Sequence, residues 1–182
     1  MAKLAFKLLA LGAAGGTIVY AAFILFLLPG GWRAYLEKRS DFSQLYVYNV
    51  GEKFIDIDFR LPDGRPTRLS RYPHKVVLVN FFTSSSAPCN AEAPRLERLA
   101  ATYRNQGLMV IGVDVNESAS EAQAYPRNHR LSFPIWRVEN TVEGGFTVPL
   151  NLVIDDQDVV RYSGPGQPFQ DLEKSVADLM AK

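Results

Sequence analysis

Hydrophobic and polar positions divide the chain into one long uncharged stretch followed by short alternating and continuous apolar runs. Leu8 to Leu28 reads LLALGAAGGTIVYAAFILFLL without a charge. About 21 apolar residues form a helix long enough to cross a hydrocarbon core of about 30 Å, so residues 1–28 are predicted to be a membrane anchor. A cleaved secretory signal would have a shorter apolar core ending in a small-x-small site. Here the core runs into Leu28-Pro29-Gly30-Gly31-Trp32, with Trp32 at the level where interfacial aromatics collect. Gly12 and Gly16 form a GxxxG pair, a spacing that lets two such helices approach closely and one that is also common in membrane helices generally. Lys3 and Lys7 precede the span while Arg33, Lys38 and Arg39 follow it, so charge leaves the orientation open.

Residues 29–50 mix aromatic and charged side chains without a clean period and are read as a juxtamembrane spacer, with the folded domain over residues 51–182. Phe54 to Leu61 alternates, placing Ile55, Ile57, Phe59 and Leu61 on one face, and leads into the turn Pro62-Asp63-Gly64. This predicts a half-buried strand that opens a hairpin. Val76–Phe82 and Met109–Val113 are nearly continuous apolar runs, the pattern of strands buried on both faces. Between them Leu96, Leu99 and Tyr103 recur at helical spacing, and Gly107 is the expected stop. A second helix is predicted over Ser118 to His129 and a strand around Phe133 to Val138. A hairpin from Leu150 to Tyr162, turning at Asp155 to Asp158, and a closing helix from Phe169 to Met180 complete the pattern.

Composition removes several function classes. Twenty basic and nineteen acidic residues are interspersed, so the basic footprint of a nucleic-acid binder is missing. One cysteine cannot form an internal disulfide, and His74, His129 and Cys89 match no zinc spacing. No metal and no cofactor is expected.

The stretches DFRLPDGRPTRLS, KVVLVNFFTSSSAPCNAEAPRLERLAATYRNQGLMVIGVDVNES and FTVPLNLVIDDQDVVRYSGPG cover most of residues 51–182. With Pro94 inside the first helix and the Val148-Pro149 element, they resemble the thioredoxin superfamily. Within it they resemble the membrane-tethered TlpA and ResA-type proteins, a group that includes reductants of cytochrome c maturation. The resemblance implies a thioredoxin-like α/β fold, with a mixed central sheet and helices on both faces, behind one transmembrane helix. It also implies a periplasmic or otherwise extracytoplasmic domain, with a thiol or disulfide protein as partner besides the membrane.

The family's site looks like Trp-Cys-x-x-Cys at a helix start, where this chain has Ser85-Ser86-Ala87-Pro88-Cys89. In thiol-disulfide exchange the first thiolate attacks and the second thiol resolves the mixed disulfide. Ser86 cannot supply the first thiolate, and Cys89 matches the resolving, shielded position. Ser86 also suits a helix N-cap that accepts the backbone N–H of Cys89. A competing resemblance to peroxiredoxins rests on Ser86-x-x-Cys89, although Phe82 stands where their proline is expected. Cys89 is therefore open to three readings: an inert thiol in a binding or assembly accessory, a lone peroxidatic or mixed-disulfide thiol, or a disulfide link between two anchored copies.

Pro149 aligns with the cis-proline opposite the active-site turn, so Val148 and Pro149 are candidate peptide-binding residues, or are kept for the fold alone. Leu150 departs from the acidic residue of the cytochrome-maturation subgroup. Asn80 replaces a buried aspartate of thioredoxin itself and cannot titrate. Glu92 is expected on the exposed first-turn face, where it would favour the positive helix end. Neither His74 nor His129 has a partner legible in the sequence.

Overall fold

The computed structural model describes residues 48–115, 118–138, 147–166 and 168–181. The predicted membrane anchor lies outside them, as does most of the spacer. The chain divides into two units, Met1–Asp41 and Phe42–Lys182, and all described residues belong to the second.

In that unit β1 (Phe59–Arg60), β2 (Pro66–Thr67), β3 (Val76–Phe82), β4 (Leu108–Asp114), β5 (Ile135–Arg137), β6 (Leu150–Asp155) and β7 (Val160–Gly164) form one sheet in the order β2-β1-β5-β4-β3-β6-β7. β3, β4 and β5 are parallel neighbours, while β6 and β7 at one end and β1 and β2 at the other are antiparallel. The α-helices are α1 (Ala87–Tyr103), α2 (Ala119–His129) and α3 (Phe169–Met180).

All seven residues of β3 are buried, as a central strand covered on both faces requires. Val76, Leu78 and Phe82 pack with Leu96 and Ala100 of α1, Ala122 and Tyr125 of α2, and Leu172 and Val176 of α3. Val77, Val79 and Phe81 point the other way, into a layer with Phe54, Ile57, Phe59, Leu69 and Trp136. Among the described residues the α-helices pack on the first layer, and the second is lined by apolar side chains of the stretch from Tyr48 to Leu69.

The predicted strand over Phe54 to Leu61 is shorter than its alternation suggested. Only Phe59 and Arg60 pair, and Ile55 is 56% exposed while Ile57 and Phe59 are buried. Phe54 is buried in its place, and its backbone N–H bonds the Asp158 carbonyl at 2.7 Å. The segment thus leaves the alternating register where it crosses the β6–β7 turn. Tyr48, within the stretch read as spacer, is buried against Phe54 and exchanges hydrogen bonds between its hydroxyl and the backbone of Ile55.

The other predicted elements appear where the patterning put them. Gly107 takes the left-handed conformation (φ 103°) after a short 3₁₀ turn that ends α1. Ser118 caps α2, and the β6–β7 turn falls at Asp155 to Asp158.

Candidate functional site

The site forms where β3 hands the chain to α1. Ser86, extended at φ −83° and ψ 114°, is the N-cap, and its Oγ accepts the backbone N–H of Cys89 at 3.4 Å. Pro88 follows within the first turn, where its missing N–H costs nothing. Asn90 Nδ2 reaches back to the Ser84 carbonyl at 2.8 Å, and the Thr83 and Ser85 hydroxyls lie 3.2 Å apart. The turn is thus tied down by hydroxyl and amide groups, with no thiol at the capping position.

Cys89 projects inward and is 3% exposed. Burial pushes its thiol up from the ordinary cysteine value, and hydrogen bonds from Ser86 and the Thr83 backbone offset that only in part, while the nearby Glu92 pushes it further up. At neutral pH the side chain is a thiol, not the thiolate that nucleophilic or metal chemistry requires.

Glu92 is where the structure departs most from the sequence reading. It does not sit on an exposed first-turn face: it is 2% exposed and lies one helical turn beyond Cys89. The physical reason is the helix period, since Cys89, Glu92, Ala93 and Leu96 fall on one stripe and that stripe faces the sheet. Glu92 Oε1 accepts from Asn151 Nδ2 at 2.9 Å, and Asn151 Oδ1 accepts from Asn80 Nδ2 at 2.9 Å. Asn80 and Asn151 are paired in register across β3 and β6, so the two strands set this chain of amides. Glu92 Oε2 has no hydrogen-bond partner among the described residues. Burial drives the carboxyl from its ordinary value of 4.5 up to about 7, against the smaller opposing pulls of Asn151 and Arg95. A titratable proton therefore lies beside Cys89 even though Asn80 cannot supply one. The cue in the sequence was the spacing of three from Cys89 into an apolar stripe; Asn151 and Gly166, which also contact Glu92, carried no local signal.

The Val148-Pro149 bond is cis, and Leu150 just beyond it pairs with Phe81 at the end of β3. The proline therefore sits at the end of the sheet from which the Ser86–Cys89 turn emerges. Val148 is partly buried and touches both apolar layers. His74 Nδ1 lies 2.8 Å from the Tyr72 carbonyl, and His129 stacks on Tyr125, which stacks on Phe82. Both histidines thus have structural partners away from Cys89. A cleft of about 250 Å³ opens at the opposite end of the sheet, lined by Arg104, Leu108, Ser132 and Phe133 among others, and none of the residues around Cys89 reaches it.

This fold, with a helix N-terminus capped beside a cis-proline, is that of a thioredoxin-like protein. The sequence profile of the AhpC/TSA family matches residues 50–163, and the chain belongs to that family. Among its relatives, the thiol-disulfide oxidoreductase ResA of Halalkalibacterium halodurans is 30% identical over 94 residues, 52% of this chain and 53% of the relative. ResA of Geobacillus kaustophilus is 28% identical over 119 residues, 65% of this chain and 67% of the relative. The thioredoxin-like protein YneN of Bacillus subtilis is 25% identical over 150 residues, 78% and 85% of the two chains. The chain thus spans about half to two thirds of the length of the two ResA proteins.

Solved structures share the fold. A putative protein disulfide isomerase from Bacteroides thetaiotaomicron superposes with a TM-score of 0.65 at 20% identity, over 75% of this chain and 92% of its own. A putative thiol:disulfide interchange protein DsbE from Chlorobium tepidum does so with 0.64 at 20% identity, over 74% and 99%. The chain is a redoxin of the TlpA/ResA type, with a single cysteine where a dithiol reductase needs two.

Proposed function

We propose that this protein is a membrane-anchored, extracytoplasmic redoxin that has lost dithiol exchange and acts by binding, as an accessory in assembly or maturation outside the membrane. The observation that carries the reading is the state of Cys89: buried, held as a thiol, and preceded by a serine that caps the helix where an attacking thiolate would stand. A peroxidatic cysteine needs the opposite, an exposed thiolate with a cation beside it, and the charged group that acts on Cys89 here is the carboxyl of Glu92, which pushes the thiol up.

The uncharged stretch from Leu8 to Leu28 supports the anchor, and the TlpA/ResA kinship supports an extracytoplasmic domain. The TlpA/ResA kinship, which puts Val148 and Pro149 opposite the active-site turn, supports an extended segment of a thiol or disulfide protein as the occupant, laid along that backbone as an added strand.

The test is disulfide reduction by the full chain in detergent, using a small protein disulfide as substrate and dithiothreitol as the regenerant. The wild type is expected at the uncatalysed rate, whereas Ser86→Cys, which restores the spacing of two cysteines, is expected to raise the rate at least tenfold. Reduction by the wild type well above background would contradict the reading.

A further inference from the structure

The segment that leaves β7 returns to α1 at one point. Gly166 is buried, and a Cβ built there would fall 1.7 Å from Glu92 Oε1 and 2.8 Å from Oε2. The main chain at Gly166 therefore lies directly against the carboxyl, and any side chain at this position would have to displace Glu92. Just upstream, the Tyr162 hydroxyl donates to the Pro165 carbonyl at 2.8 Å and ties this strap to β7.

Several groups face Glu92 from the elements packed around it. α1 itself brings Cys89 and Arg95, and β7 brings Tyr162, whose hydroxyl is pushed up by burial and by the charges of Asp171 on α3 and of Glu92. β6 and β3 bring Asn151 and, behind it, Asn80, both neutral. Arg95 is the cation of this set, and its guanidinium is engaged 5.0 Å above the Phe169 ring.

We propose that Glu92 and the strap of Pro165 and Gly166 form a proton-operated latch, closed while the carboxyl keeps its proton and released when the proton leaves. A neutral carboxyl is tolerated in a dry site with one amide donor. A carboxylate is not, because it needs hydrogen bonds at both oxygens or a close cation. The site gives Oε1 one donor and Oε2 none. β3 and β6 are locked by their ladder and α1 by its packing, so the covering element that can yield to admit water is the strap, held through Tyr162. The carboxyl's value of about 7 places the release in the neutral range. Release would uncover Glu92 and, with it, the buried end of α1 that carries Cys89. The latch does not depend on the binding reading, and would operate equally in an enzyme.

The experiment is nuclear magnetic resonance on the full chain in detergent micelles, labelled with [15N]glycine and with 13C at the glutamate carboxyls. The heteronuclear NOE of Gly166 is followed from about pH 5.5 to about pH 8.5, with Gly112 of β4 and the ladder-paired Gly164 of β7 as rigid references. In the wild type the strap is expected to be as ordered as Gly112 at low pH and to lose order with the midpoint of the Glu92 carboxyl titration, near 7. Glu92→Gln is expected to stay ordered throughout. An unchanged NOE over the whole range, a parallel loss in Glu92→Gln, or a carboxyl titrating near 4.5 would each overturn the latch. If Glu92→Gln does not fold, the two wild-type midpoints decide alone: coincidence supports the latch and separation overturns it.

Discussion

Two helices of this domain start with a capping serine, and the two carboxyls near those starts behave in opposite ways. At α2, Ser118 accepts the N–H of Glu121 at 3.4 Å, while the Glu121 carboxylate returns a bond to the Ser118 N–H at 3.0 Å, a reciprocal capping box in water. Those bonds favour the ionised form and hold Glu121 below the usual glutamate value. At α1, Ser86 caps in the same way, but the glutamate sits six residues on instead of three and turns under the helix, where burial pushes it up to about 7. The cap chemistry is shared; what differs is which helical face the carboxyl lands on. A charge that supports a helix start at the surface becomes, on the inner face, a proton the fold must keep.

The comparison is broken most strongly by pH. Glu92 titrates at about 7 in the folded protein against 4.5 unfolded. Between those values the unfolded chain releases the proton while the folded one retains it, so stability falls as pH rises from 4.5 to 7 and then levels. The full effect is on the order of 3 kcal/mol. Glu121 runs the other way: its contribution is present above 4.5 and is lost as pH falls below it. Urea unfolding at a series of pH values should show the loss between pH 4.5 and 7, and Glu92→Gln should flatten it.

A smaller effect is expected from Asn151→Ala. It removes the amide that bonds both Glu92 and Asn80 and leaves two buried groups unsatisfied, at a cost of about 2 kcal/mol in the same unfolding experiment. The Asn151 amide holds Glu92 down against burial, so its removal should push the carboxyl further up and widen its difference from Glu121. Smallest are the caps themselves: Ser86→Ala and Ser118→Ala should each cost about 1 kcal/mol. Near-equal values would show that the caps are interchangeable and that only the carboxyls differ.

Much of this architecture was legible because burial imposes simple periods. The continuous run Val76–Phe82 could only be a central strand, and Leu172 and Val176 fixed the inner face of α3. Cys89 as a shielded thiol and Ser86 as a cap followed from kinship and from spacing. The errors arose where tertiary contacts overrode local pattern. Ile55 keeps the alternation of its neighbours but has no strand to pair with, and Phe54 takes the buried place. The charge of Glu92 argues for the surface, whereas its spacing of three from Cys89 places it on the buried stripe. Asn151 and Gly166 touch Glu92 from 59 and 74 residues away in sequence, and no local period encodes such a contact. The covering of the second sheet face by extended chain was likewise invisible, because it depends on where that chain crosses the sheet.

The central claim, that Cys89 is a shielded thiol and not a nucleophile, is tested most directly by its alkylation. With one cysteine in the chain every labelled molecule reports this site. Iodoacetamide labelling of the full chain in detergent would be followed between about pH 5 and about pH 9, against the chain unfolded in guanidinium chloride. Labelling is expected to be at least a hundredfold slower in the folded protein at neutral pH, with no thiolate plateau below about pH 8.5. Rapid labelling of the folded protein with a midpoint well below that value would contradict it, and would return Cys89 to single-thiol catalysis.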